Sequence, residues 1–197
     1  ATAVLEYVAA VPLRSLTLGI GMRESGLELC RILQAHSELR EFASYNGTAM
    51  RAPEVFALQR ALAPHAKLRT LQVEIAPGTP VAPFCLMLQQ HPLLHTLHTF
   101  DWVMPPADII TICRAVAKLD GLRCLSIGAR SNTKKFDANV GNAIAAAIAG
   151  KPLRQLYIEQ FSFAAAEAMV PALLTVSNTL RVVTLSSSPE SHEFRLV

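Results

Sequence analysis

The chain has 197 residues, of which 51% are hydrophobic and 17% charged, enough apolar content to bury a sizeable core in one domain. Its 18 basic and 15 acidic residues are scattered, with a formal charge of +3 and only Lys134-Lys135 standing together, a balance that leaves no footprint for nucleic acid or an anionic membrane. The longest apolar stretch, 163–176, is interrupted by Glu167 and Pro171 and falls short of the roughly 18 to 20 residues that span a bilayer.

The chain opens at Ala1 inside an apolar helical pattern, Val4-Leu5-Tyr7-Val8, without the basic start and small-residue cleavage site of a secretory signal. It is therefore expected to be a fragment of a longer or processed protein. A phrase then begins, Leu13-Arg14-x-Leu16-x-Leu18, and echoes of it start at Leu39, Leu68, Leu94, Leu122, Leu153 and Leu180. The gaps between these first leucines are 26, 29, 26, 28, 31 and 27 residues, and a near-constant gap of this size predicts a repeat solenoid.

Within the phrase the apolar residues lie two apart, as in Leu71 and Val73 or Leu156 and Ile158, which predicts a short strand with one buried face. Between phrases the period lengthens. Ten residues before each first leucine stand Leu29, Leu58, Phe84, Ile112, Ala143 and Val170; six before it stand Leu33, Leu62, Leu88, Val116, Ala147 and Leu174. Two apolar columns four apart share one helix face. Each unit thus reads strand, loop, helix, with every strand running the same way.

Turn and cap residues agree with these boundaries. Pro53, Pro80, Pro105-Pro106 and Asp137-Ala138-Asn139 precede helices, where proline and short polar side chains suit the first turn. His36-Ser37-Glu38, Asp120-Gly121, Gly150-Lys151-Pro152 and Ser177-Asn178-Thr179 return the chain to the next strand. Pro64, Pro83 and Pro171 fall inside helical patterns and predict shortened or kinked helices.

With this phrase and period the whole of the chain resembles the leucine-rich-repeat family, and its unit of 26 to 31 residues resembles the ribonuclease-inhibitor-like subclass. The resemblance implies an α/β fold of about seven repeats: a single horseshoe domain over residues 1–197, with a parallel sheet on the concave side and helices on the convex side. One element departs from the family. Where it places an Asn or Cys ladder after the strand, this chain has Gly21, Gly47, Ala76, Trp102, Arg130, Phe161 and Ser188. With Ser44 and Thr99 at normally apolar strand positions, this predicts an irregular horseshoe with variable loops.

If the leucines point inward, the residues between them face outward. The third position of the phrase reads Ser15, Glu41, Thr70, Thr96, Cys124, Gln155, Val182; the fifth reads Thr17, Ala43, Gln72, His98, Ser126, Tyr157, Thr184. The seventh adds Gly19, Tyr45, Glu74, Phe100, Gly128, Glu159 and Ser186. Protein-binding surfaces concentrate aromatic residues beside small polar ones, so His98, Phe100, Trp102 and Tyr157, with Tyr45, Gln72 and Glu74 beside them, are the expected partner-binding residues. Packing of Phe100 and Trp102 against loops of adjacent repeats is the competing explanation.

The second position is basic throughout: Arg14, Arg40, Arg69, His95, Arg123, Arg154, Arg181. Such a row invites comparison with an anion-binding rail. The expectation is a solvated edge instead, since basic residues are ordinary here in leucine-rich repeats and Glu28, Glu38, Glu41, Glu54 and Glu74 can neutralise parts of it. Cys30, Cys85 and Cys113 share one helix column and read as small buried hydrophobes, whereas Cys124 projects from the sheet; reduced thiols suit an intracellular setting. His36, His65 and His91 each precede a first leucine by three, near a helix C-terminus where imidazole can bond to carbonyls. His91, His95 and His98 are too dispersed to predict a metal site.

Neither a G-x-S-x-G elbow, a phosphate-binding glycine loop nor an H-E-x-x-H helix is present, and Asp101 near His98 would serve as an acid–base pair only in a cleft. No catalytic residue, cofactor or metal is assigned. The expected function is a non-catalytic protein-interaction scaffold whose concave face binds a protein partner, with neither nucleic acid nor membrane involved. The alternative is a substrate-recruiting or targeting module of a larger enzyme, such as a ubiquitin-ligase receptor. The alanine-rich run 141–147 before Leu153-Arg154-Gln155-Leu156 resembles bacterial effector repeats, which implies a secreted effector acting in a host cytosol.

Overall fold

The computed structural model describes residues 12–18, 33–34, 36–44, 49–99, 104–128, 135–159 and 162–186. Seven strands form one sheet in sequence order: β1 (Ser15–Leu18), β2 (Glu41–Ser44), β3 (Thr70–Val73), β4 (Thr96–Thr99), β5 (Cys124–Ile127), β6 (Gln155–Glu159) and β7 (Val182–Ser186). Every neighbouring pair is parallel. Five helices are described between them: α1 (Ala52–Leu62), α2 (Ala82–Gln90), α3 (Pro106–Val116), α4 (Ala138–Ile148) and α5 (Phe163–Val176). Among the described residues no helix is long and apolar enough to cross a membrane.

Strand and helix layers share one hydrophobic core. The fourth residue of each phrase, Leu16, Phe42, Leu71, Leu97, Leu125, Leu156 and Val183, is buried beside the first leucines and the inner helix faces. Each fully buried aliphatic side chain contributes about 1.5–3 kcal/mol, and that gain fixes which strand face turns inward. Thr99 sits in the core at 1% exposure because its Oγ1 donates to the Ser126 carbonyl (2.9 Å), so a hydroxyl replaces an aliphatic group without leaving an unpaired donor.

A backbone ladder locks the repeats together at the strand entrance. The carbonyl of each second-position residue accepts two N–H groups from the next repeat: Arg69 O accepts from His95 and Thr96, Arg123 O from Arg154 and Gln155, and Arg154 O from Arg181 and Val182. The same holds for Arg14, Arg40 and His95, at distances of 2.7–3.1 Å throughout. Side chains add a second tie between repeats. His65, fully buried, bonds through Nε2 to the Leu33 carbonyl (2.9 Å) of the preceding repeat, and Lys151 Nζ donates to the Ala117 and Leu119 carbonyls (2.9 Å each) beyond α3. The imidazole and ammonium thus satisfy the carbonyls of the previous unit rather than their own helix end.

Helix boundaries follow local chemistry. Asp137 accepts from Val140 N (3.0 Å) and Ser162 from Ala165 N (3.1 Å), capping α4 and α5. Pro64 lies just past the end of α1 and Pro83 in the first turn of α2, so both shape helix limits; Pro171 alone lies inside a helix, α5. Gly150 takes φ +69° after α4, a left-handed turn that glycine adopts without strain.

The two predicted helix columns hold through α3 and fail at α5. Leu58, Phe84 and Ile112, and Leu62, Leu88, Val116 and Ala147, are buried, but Val170 is 49% and Leu174 69% exposed. In α5 the inward residues are Ala165, Met169, Ala172 and Val176 instead. A bare glycine permits this packing: a Cβ on Gly141 would lie 2.6 Å from the Ala165 carbonyl oxygen and 2.8 Å from its Cα, so α5 can lie against α4 with its alanine face.

Candidate functional site

The pairing register converts the sequence columns into rows across the sheet. Thr17, Ala43, Gln72, His98, Ser126, Tyr157 and Thr184 are successive partners, and so are Ser15, Glu41, Thr70, Thr96, Cys124, Gln155 and Val182. His98 and Tyr157 therefore stand in one row with Ser126 between them, roughly 10 Å apart at the usual strand spacing. Both are partly exposed, on the face opposite the inward leucines.

Gln72 and Glu74 lie beside this patch but are nearly covered, at 5% and 7% exposure. Tyr45, Phe100, Trp102 and the acid Asp101 lie outside the described residues, as does Cys30. The structure thus brings His98, Tyr157 and Gln72 into one row.

A contact between rows completes the patch. Cys124 Sγ lies 3.8 Å from His98 Nε2 and 3.4 Å from Gln155 Oε1, to which the thiol donates. Burial pushes the Cys124 thiol up to about 11 and holds His98 below its ordinary value. At neutral pH the pair stands as thiol and neutral imidazole, without the thiolate that nucleophilic chemistry requires. Cys124 and Gln155 were visible as outward positions in the sequence; their meeting with His98 emerges only when the rows are aligned.

The remaining titratable groups are structural in position. Cys85 and Cys113 are buried and unbridged, their thiols pushed up to about 11 and about 12 by burial, with the charge of Asp108 adding to the first and that of Cys85 to the second. His91 is 1% exposed, and burial, with the charge of His65 adding to it, lowers it to about 4. Among the described residues no three His, Cys, Asp or Glu side chains converge as metal ligands.

One surface feature was not anticipated. Phe163, Val170 and Leu174, spaced seven and four residues apart on α5, leave an apolar strip 79%, 49% and 69% exposed. The basic row, in turn, is neutralised unevenly. Glu38 pairs with Lys67 (2.8 Å), which holds its carboxyl below the usual range, and Arg40 and Arg14 add to the effect from nearby. Glu41 accepts from Ser15 Oγ (2.9 Å). Among the described residues no carboxylate joins Arg123, Arg154 and Arg181 around the groove they line.

Comparison of the sequence with models of known protein families and with curated proteins finds no match. Among solved structures, the C-terminal domain of tropomodulin from Caenorhabditis elegans is similar, with a TM-score of 0.54 over 90% of this chain and 93% of that one, at 12% sequence identity. The likeness concerns the fold alone: seven parallel strands in sequence order, alternating with helices, make this chain a leucine-rich-repeat-like α/β protein.

Proposed function

We propose that the chain is a non-catalytic protein-interaction scaffold: a horseshoe-shaped solenoid of the ribonuclease-inhibitor-like subclass that holds a protein partner against the concave face of its sheet. The observation that carries this reading is the partly exposed His98, Tyr157 and Thr184 of one row, with exposed Gln155 beside them and the nearly covered Gln72, Ser126 and Cys124 as the floor between, set on strands opposite the core. A partly exposed tyrosine and imidazole flanked by small polar groups offer apolar area and hydrogen bonds at low entropic cost. The unbridged Cys85, Cys113 and Cys124 suit a reducing, intracellular setting.

The test begins with affinity purification on the intact chain and on the Tyr157→Ala/His98→Ala double variant, followed by titration calorimetry with the recovered partner. Each truncation should weaken binding by about 1 kcal/mol or more with the melting temperature preserved. Unchanged affinity in both single variants refutes the sheet-face assignment. Recovery of a ubiquitin-ligase subunit by both the intact chain and the double variant would favour a targeting module that docks elsewhere.

A further inference from the structure

The row of second-position side chains is regular in backbone and irregular in charge. Its backbone is fixed by the paired hydrogen bonds that run from Arg14 to Arg181, so successive side chains leave the sheet edge at the strand spacing of about 4.8 Å. In the first repeats Glu38 lies near Arg14 and Arg40, and Lys67 ties it down. At the centre of the row His95 packs over Gly121, 3.4 Å from the position a Cβ would take there, and is held below its ordinary value by burial and by Arg123 and Arg69 on either side. At neutral pH this imidazole is uncharged, and it separates the first three arginines from the last three.

The last three are different. Arg123, Arg154 and Arg181, all exposed, line one groove of about 360 Å³ together with Pro152, Asn178 and Thr179. Among the described residues no ion pair is made by any of the three, and Asp120, the acid in the turn before β5, lies instead near Lys151. Three permanent cations on adjacent strands repel one another, and an anion bound between them relieves that repulsion.

We infer that Arg123, Arg154 and Arg181 form a binding groove for a phosphate monoester carried on a peptide, a phosphoserine or phosphothreonine segment. The dianion offers three acceptor oxygens to three planar guanidinium forks, and the Asn178 amide adds a neutral donor at the rim. Peptide is the favoured carrier because the track spans only three strands, about 10 Å, before the neutral His95 ends it. Among the described residues no aromatic side chain lines the groove to stack a base, as single-stranded nucleic acid requires. The groove opens at the strand entrance and is independent of the sheet face assigned to the partner above.

The test uses the pentapeptide Gly-Gly-phosphoSer-Gly-Gly and its unphosphorylated twin, titrated into the whole chain while the arginine Nε–H resonances are followed by NMR at constant ionic strength. The phosphopeptide should shift the resonances of Arg123, Arg154 and Arg181 and spare those of Arg14 and Arg40, and the twin should shift none. Arg154→Ala should weaken binding about tenfold or more, Arg154→Lys should fall between, and Arg14→Ala should change it by less than about twofold. Arg154→Lys keeps the test decisive if the alanine variant folds poorly. Equal shifts with the twin, or shifts spread evenly along the row, overturn the inference. Tighter binding of inorganic phosphate, of a ten-residue oligothymidylate or of phosphatidylserine vesicles than of the phosphopeptide overturns the peptide carrier.

Discussion

Acid should loosen this protein chiefly through one buried imidazole. His91 is 1% exposed, and neither ring nitrogen has a hydrogen bond of ordinary geometry. Burial, with the neighbouring His65 adding to it, lowers it from 6.5 to about 4. In the unfolded chain the same ring titrates near 6.5, so between these values the unfolded state carries a proton that the native state does not. Stability is therefore full above pH 6.5 and is lost as pH falls towards 4, where the native ring also protonates and the loss levels off. A displacement of about 2.5 pH units corresponds to about 3 kcal/mol, a large part of the stability of a domain this size. His65, lowered chiefly by burial, acts in the same direction. Urea unfolding at half-unit steps from pH 4 to pH 7.5, on the natural chain and on His91→Leu, isolates the term because the carboxylates titrate alike in both. The difference between the two stabilities should move by about 3 kcal/mol in favour of His91→Leu as the pH falls. Parallel profiles would refute the assignment.

Two further substitutions probe how repeats are joined. Lys151→Met removes both charge-assisted bonds to the Ala117 and Leu119 carbonyls while keeping the stem, and should cost about 2 kcal/mol in chemical denaturation; an unchanged midpoint would show that the ammonium is not needed there. Gly141→Ala should lower the melting temperature despite alanine's helix advantage of about 1 kcal/mol, because its Cβ meets backbone atoms of Ala165 that cannot turn aside. Asn142→Ala, on the exposed side of the same helix, is the control and should be neutral or stabilising.

Much of the fold was legible because leucine spacing carries two kinds of information at once. The distance between first leucines sets the length of a unit, and the alternation within each phrase sets which strand face is buried, as Leu71, Leu97, Leu125 and Leu156 show at 0% exposure. Helix phase was less legible. The columns assume that every helix presents the same face at the same distance from the next strand, yet α5 has 14 residues where α3 and α4 have 11. Its inward face includes Ala165, which closes on Gly141 across the helix interface, an approach that no periodicity within α5 records. The candidate site divides the same way: His98 and Tyr157 could be placed in one column by counting, whereas the Cys124 contacts with His98 and Gln155 depend on strand pairing.

The sequence by itself determined the repeat, its strand direction and the inward face of each strand, because those follow from local hydrophobic period and turn chemistry. Tertiary structure decided what lies between repeats. It chose which carbonyl His65 and Lys151 satisfy, which face α5 turns away from the core and, among the described residues, which arginines are left without an acid. Those outcomes depend on the distance and orientation of groups about thirty residues apart, and no local pattern encodes such a distance.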